Sequence, residues 1–245
     1  MKTVVDASQK DLPGVAAVSR ALTILRAFGN DDRRLSLAEI SRRTGLYKST
    51  VLRLAESLEA FDFLVRDDRG DFRLGIENLR LGALARLSVG GADEIIAALG
   101  ELMDRTGESA TYYVRRDKMR LALYRVDSPR SVRDHIKAGD LLPLEYGAAG
   151  HILSSSKHVE NGDETAGPRF KSIVSLGERD PDVAAVAGPV YFGNRVVGAL
   201  SVSGPISRFS AAAIKTMEAA IEEKCKHLSS ILRDGDAFRN SHLRA

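Results

Sequence analysis

One cysteine, Cys225, stands in the whole chain, which excludes an intrachain disulfide and any multi-thiolate metal centre within it. No apolar run approaches a membrane span. The N-terminal stretch MKTVVDASQKDLPG lacks the apolar core of a signal peptide, so a cytoplasmic location is expected. The five histidines, His135, His151, His158, His227 and His242, are scattered without metal-ligand spacing. There is no G-x-S-x-G elbow, no phosphate-binding glycine loop and no H-E-x-x-H. No catalytic residue, no metal site and no cofactor are therefore expected. Cys225 falls on the apolar stripe of a C-terminal helix and reads as packing. Lys224, Lys226 and His227 beside it could depress its pKa, and this leaves a reactive thiol as the lesser reading.

Excess charge is scarce too, and it is unevenly placed. Residues 1–90 hold 15 Lys+Arg against 12 Asp+Glu, a net of +3, whereas residues 91–245 hold 21 of each. The whole formal excess therefore lies in the first part of the chain, where it favours a phosphate-binding surface. At 245 residues, 44% apolar and 28% charged, the chain has the size and composition of two ordinary globular domains.

The stretch LAEISRRTGLYKSTVLRLAESL, residues 37–58, organises that first part. Leu37, Ile40, Leu46, Val51, Leu54 and Leu58 are spaced for two short helices, and Gly45 sits where the first must stop and the chain must turn. Ser36 is placed to cap the first helix, with Glu39 completing a capping box. The second helix, from about Tyr47 to Ala60, opens with Lys48, Ser49, Thr50 and Arg53. An ordinary helical hairpin explains the leucines but not this basic and hydroxyl cluster just after the turn. A helix-turn-helix explains both, because its second helix presents such side chains to the major groove. Upstream, Val15, Val18, Leu22, Leu25 and Phe28 fall at helical spacing, and Arg20 and Arg26 point away from that stripe. Downstream, FLVRDDRGDFRLG reads as a β-hairpin with Phe63, Val65, Phe72 and Leu74 alternating and Arg69 at its tip. Three helices and a hairpin make a winged helix over residues 15–75. The DNA-contacting candidates are Arg20, Arg42, Arg43, Tyr47, Lys48, Ser49, Thr50, Arg53 and Arg69.

Ile76, Leu79, Leu81, Leu84 and Leu87 then mark a linker helix over 76–90, bounded by Gly90-Gly91. The remainder, 91–233, opens with a helix and continues with strand-like runs at 109–115 and 119–126, and a weaker one at 131–137. A small-residue turn and short helix, YGAAGHILSS, precede a polar stretch over 155–171. Clear strands at 183–192 and 195–203 and a long helix from Ser210 to about Leu232 complete it. Grouped strands with helices before and after predict an α+β domain on an antiparallel sheet. On its last strand Ala199, Ser201 and Ser203 share one face, and Leu200 and Val202 the other. Ala148-Ala149-Gly150 offers unscreened backbone N–H groups, which suit a carboxylate. Close packing of the alanines, with the serines in solvent, accounts for these residues equally well.

The stretches AVSRALTILRAFG, LAEISRRTGLYKSTVLRLAESL, FRLG, LPLEYGAAGHIL and VAGPVYFGNRVVGALSVSGPISRFS together resemble the IclR family of bacterial transcriptional regulators, over residues 15–233. The resemblance implies an N-terminal winged helix on operator DNA and a C-terminal GAF-like α+β domain binding a small effector, a carboxylate or aromatic acid. It also implies homodimers or homotetramers. By position it places amide donors at Ala148 and Ala149, pocket serines at Ser201 and Ser203, an acidic residue at Glu178 or Asp180, and a small residue at Ala185. Leu121, Leu123 and Leu142 would be apolar walls. His151 stands where the family usually has a basic residue, Ala185 stands near the place of a pocket cysteine, and region 154–171 is short and polar. Two rivals remain: a C-terminal half that only oligomerises, with Ser201 and Ser203 outside any cavity, and an enzyme fused to a DNA-binding head.

Overall fold

A computed structural model of the chain describes residues 14–88, 91–155 and 168–234. The chain divides between Arg86 and Leu87 into two compact units.

In the first unit, helices α1 (Ala16–Arg26), α2 (Leu37–Thr44) and α3 (Lys48–Ala60) pack around Ile24, Ile40, Val51, Leu54 and Leu58. Ser36 caps α2 by accepting the Glu39 N–H at 3.2 Å. The Glu39 carboxylate does not close the box, because it is turned onto Arg42 and Arg43. Gly45 ends α2 at φ +69°, a left-handed conformation that favours glycine. Strands β1 (Leu64–Arg66) and β2 (Phe72–Leu74) form the hairpin. Asp67 Oδ1 ties its tip by accepting the Arg69 and Asp71 N–H groups, each at 3.0 Å. Phe72 lies fully buried, and its backbone exchanges two 2.8 Å hydrogen bonds with Leu35, which docks the hairpin on the helices.

Two expectations are corrected here. The buried side of α1 carries Thr23 and Ile24, with Ala21, Leu25 and Phe28 packed alongside, whereas Val15, Val18 and Leu22 are exposed. The helix thus has two apolar stripes, and only one meets this core. In the hairpin, Leu64 and Phe72 are buried, Phe63 and Val65 are half-buried and Leu74 is exposed, so Leu64, rather than Phe63 or Val65, is the core residue of β1. Helix α4 (Ile76–Ser88) starts against this unit, with Asn78 Nδ2 donating to the Phe63 carbonyl at 2.8 Å. Its Ile76, Leu79, Leu81 and Leu84 are exposed. The unit division falls inside this helix.

The second unit contains α5 (Ala92–Thr106), β3 (Ser109–Arg116), β4 (Met119–Val126), β5 (Leu141–Pro143), α6 (Ala148–Ser155), β6 (Ile173–Leu176), β7 (Val183–Phe192), β8 (Arg195–Pro205), a short 3-10 turn (Ile206–Arg208) and α7 (Ala211–Asp234). The strands form one antiparallel sheet in the order β5-β4-β3-β8-β7-β6. Alternation sorts its two faces. Tyr112, Val186, Leu200 and Val202 pack with Leu99, Ile221, Cys225 and Leu228 of α5 and α7. Tyr113, Ala122, Ala187 and Ala199 face α6 with Ala148, Ile152 and Leu153. Burying a Leu or Ile side chain in such a core contributes on the order of 2 kcal/mol.

Residues 131–137 are not a strand; β5 takes the edge beside β4 instead, with Leu142 opposite Arg120. An edge tolerates Pro143. The 131–137 segment still turns Asp134 and Ile136 inward, without a partner strand. Strand β6 was not expected from the sequence; it lies at the end of the polar stretch, of which residues 156–167 lie outside the described ones.

Candidate functional site

The first unit exposes one face of α3. Lys48, Ser49 and Arg53 are exposed and Thr50 is half-buried, while Val51, Leu54, Ala55 and Leu58 point into the core. The helix therefore divides by periodicity into an anchored side and a presented side. Tyr47, at its N-cap, is 84% exposed, a large aromatic surface left at the mouth of the turn. Arg20 is exposed on α1, and Arg69 at the hairpin tip.

The flanking arginines divide. Arg42 is exposed but holds Glu39 in a two-pronged pair at 2.8 and 2.6 Å. Arg43 departs from the expectation of a DNA contact. Its guanidinium is bound by Asp32, by Glu39 at 2.7 Å and by the Ala27 carbonyl at 3.0 Å, with only 19% of its side chain exposed. These bonds hold α2 to the end of α1, so Arg43 is a brace. The two arginines depress the Glu39 carboxyl to about 2.

The second unit contains a small, partly open cavity of about 30 Å³, lined by polar and apolar side chains alike, room for about two water molecules. Ala148 and Ala149 open α6 at one wall, and Ala185, Ser201 and Ser203 lie on the strands opposite. The β7–β8 register brings Ala185 beside Ser203 and Ala187 beside Ser201. The serines therefore line a cavity, an arrangement that a purely oligomerising domain does not require.

Six of the expected residues are not part of that wall. Leu121 and Leu123 pack on the α5/α7 face, because Ala122, opposite Tyr113, takes the cavity side of β4. Leu142 packs in the cluster around α6 without reaching the cavity. Glu178 sits outside it and accepts the Gly147 N–H at 2.8 Å and a hydrogen bond with His151 Nε2 at 2.7 Å. These partners, led by the Gly147 N–H, hold its carboxyl below the usual range. Glu178 thus closes the start of α6 from outside, and the exposed Glu178–His151 pair is no acid–base pair within the cavity. Asp180 shapes the loop before β7 by accepting the Asp182 N–H at 3.1 Å.

Their places are taken by residues not anticipated, chiefly Tyr113, Arg120, Asp134, Ser175 and Arg179. Asp134 is buried: its Oδ2 accepts from Ser203 Oγ at 2.5 Å, and its Oδ1 pairs with Arg125. Arg125 also donates to Thr111 Oγ1 at 2.8 Å. Arg120 is 4% exposed, with Nη1 donating to the Pro143 and Tyr146 carbonyls at 2.6 and 2.5 Å and the guanidinium over the Tyr113 ring. A charged residue within the alternating run MRLALYRV, and another between Val132 and Ile136, were the available signals. Cys225 is fully buried, and desolvation pushes its thiol far above the ordinary value, which removes the reactive-thiol reading.

A winged helix with an exposed basic helix, followed by an α+β unit built on an antiparallel sheet, defines a DNA-binding transcriptional regulator. The profile of the IclR helix-turn-helix domain matches residues 17–68. The glycerol operon regulatory protein of Streptomyces griseus is 27% identical, over 79% of this chain and 86% of that protein. The crystal structure of an IclR transcriptional regulator from Alicyclobacillus acidocaldarius superposes with a TM-score of 0.75 and 26% identity, covering 89% of this chain and 99% of that one. An IclR homologue from Microbacterium hydrocarbonoxydans, complexed with 4-hydroxybenzoate, shares the fold at 18% identity and a TM-score of 0.71, covering 89% of this chain and 100% of that one. The chain carries an IclR-type helix-turn-helix domain and resembles IclR transcriptional regulators over most of its length. Among the described residues, no helix is long and apolar enough to cross a membrane.

Proposed function

We propose that this regulator holds operator DNA through Tyr47, Lys48, Ser49, Thr50 and Arg53, with Arg20, Arg42 and Arg69 on flanking phosphates, and that a small acid in the second unit modulates the grip. The domains are 15–75 for DNA, 76–90 as linker and 91–233 for the effector. The observation that carries the sensing half is the cavity shared by Ala148, Ala149, Ser201 and Ser203. The homologue complexed with 4-hydroxybenzoate supports an organic acid as the ligand class. A volume of about 30 Å³ favours a small aliphatic acid over an aromatic one, and its walls must yield even to that.

The working form is a homodimer or a dimer of dimers, which places two copies of α3 on the half-sites of a pseudo-palindrome. The exposed stripes of α1 (Val15, Val18, Leu22) and α4 (Ile76, Leu79, Leu84) support this, since neither meets its own core. Effector binding biases the DNA-competent arrangement by no more than its difference in affinity for the two states.

A thermal-shift screen of small carboxylates tests the sensing half, because a ligand of the folded form raises the melting temperature. A hit must also change operator affinity in fluorescence anisotropy. If no acid moves either quantity, the sensing reading fails and a constitutive DNA-binding protein remains.

A further inference from the structure

Of the charged residues that line the cavity, Arg120, Arg179 and Asp134, two are buried and of opposite sign, Arg120 and Asp134, and their circumstances differ. Arg120 is buried, and among the described residues no carboxylate lies within ion-pair distance of it and its Nε has no hydrogen-bond partner. Its neighbours are two backbone carbonyls and the face of Tyr113, none of which neutralises a full charge. It also lies close to the start of α6: a Cβ built on Gly147 would stand 3.2 Å from Arg120 Nη2, and one on Gly150 2.4 Å from Nη1. A buried cation beside the N-terminal end of a helix is an incomplete arrangement that an anion completes. The other buried polar atom without a partner, the Tyr112 hydroxyl, lies in the opposite core against Gly198 and has no bearing on the cavity.

Asp134 is in the reverse position. It already has its cation, Arg125, and a hydroxyl, Ser203. It therefore repels a second carboxylate beside it. An ionised carboxylate has about four acceptor positions, and Arg125 and Ser203 use one each. The remaining positions can receive a donor, and Asp134 lines the cavity. The same cavity thus favours an anion beside Arg120 and an O–H or N–H beside Asp134.

Resting on the effector reading above, we infer that Arg120 and Asp134 set the effector class: a small carboxylate carrying a hydrogen-bond donor, hydroxyl or ammonium, on the adjacent carbon. Arg120 and the α6 amides take the carboxylate; Asp134 accepts from the donor. A plain acid leaves the Asp134 acceptors unpaired after expelling water from them, and that loss discriminates against it.

The test is calorimetric titration of the full-length protein with two matched sets, acetate, glycolate and glycine, then propionate, lactate and alanine. Hydroxy and amino arms separate the two kinds of donor. The donor-bearing member of at least one set should bind at least about tenfold tighter than its plain acid. Asp134→Asn should reduce that preference to within about threefold, and Arg120→Met should abolish binding of every acid. Cooperative melting of each variant confirms folding, with Arg120→Gln replacing Arg120→Met if the latter does not fold. If acids bind but plain and donor-bearing ones bind alike, or if Asp134→Asn leaves the preference intact, this assignment is wrong while the effector reading survives. If none of the six binds wild-type protein while another acid of the thermal-shift screen does, this assignment is wrong and the effector reading stands; if no acid of the six or of the screen acts, both are lost.

Discussion

The two units put their functional residues in opposite physical circumstances. In the first, Lys48, Ser49 and Arg53 come from six consecutive positions of one helix and stand in water. Their positions follow from the core behind them, and they need little desolvation to act. In the second, Arg120 of β4, Asp134 of the 131–137 segment, Ala148 of α6 and Ser201 and Ser203 of β8 are brought together and are all buried. There an unpaired charge is costly. A surface reader is specified by local sequence, whereas a buried pocket is specified by which strands become neighbours.

The largest effect should come from breaking the buried ion pair. Arg125→Met leaves Asp134 charged with only Ser203, and should cost about 3–5 kcal/mol in urea unfolding, of which Arg125→Met with Asp134→Leu should recover a large part. A double variant as unstable as the single would mean that the pair is not what matters there. Next comes close approach: a Cβ at Gly150 would stand 2.4 Å from the Leu144 carbonyl oxygen. Gly150→Ala should therefore destabilise by about 1–3 kcal/mol, read as a lower melting temperature.

The presented face should behave otherwise. Arg53→Ala should weaken operator binding by about 1–3 kcal/mol if the side chain reads a base, with the unfolding midpoint unmoved. Ser36→Ala removes the α2 cap and should cost about 1 kcal/mol, visible in chemical denaturation. The smallest effect concerns Glu39. Its carboxyl is depressed to about 2 from an ordinary 4.5. Its stabilising contribution is therefore fully present above about 4.5 and fades as pH falls toward about 2. Glu39→Gln should flatten that part of an acid-unfolding curve, and an unchanged curve would mean that the Arg42 and Arg43 pairs do not persist in solution.

Much of the first unit was legible in advance. Ser36, Gly45, the leucine spacing and the Asp67–Gly70 turn are local signals, and each finds its place. Two errors there share a cause. Helix α1 and the hairpin carry more apolar positions than their own core receives, and periodicity alone does not say which stripe turns inward. In the second unit, β3, β4, β7 and β8 could be read from alternation, and so could the shared face of Ser201 and Ser203. Leu121 and Leu123 could not be assigned to a face, because the β3–β4 register shifts at Tyr112/Tyr113 and a one-residue slip exchanges faces. Arg43 looked like its neighbour Arg42 until Asp32, eleven positions away, was seen to claim it.

By itself the sequence determined the presence of a winged helix, the side of α3 that is presented to solvent, an α+β second half on an antiparallel sheet, and the serines on one strand face. These are matters of spacing between near neighbours, where backbone geometry leaves few choices. Only the tertiary structure decided that Asp134 reaches Ser203 across 69 positions, that Arg120 is buried against two backbone carbonyls, and that Glu178 closes α6 from outside. Such pairings depend on strand order and on how the sheet is covered, which short-range periodicity does not encode.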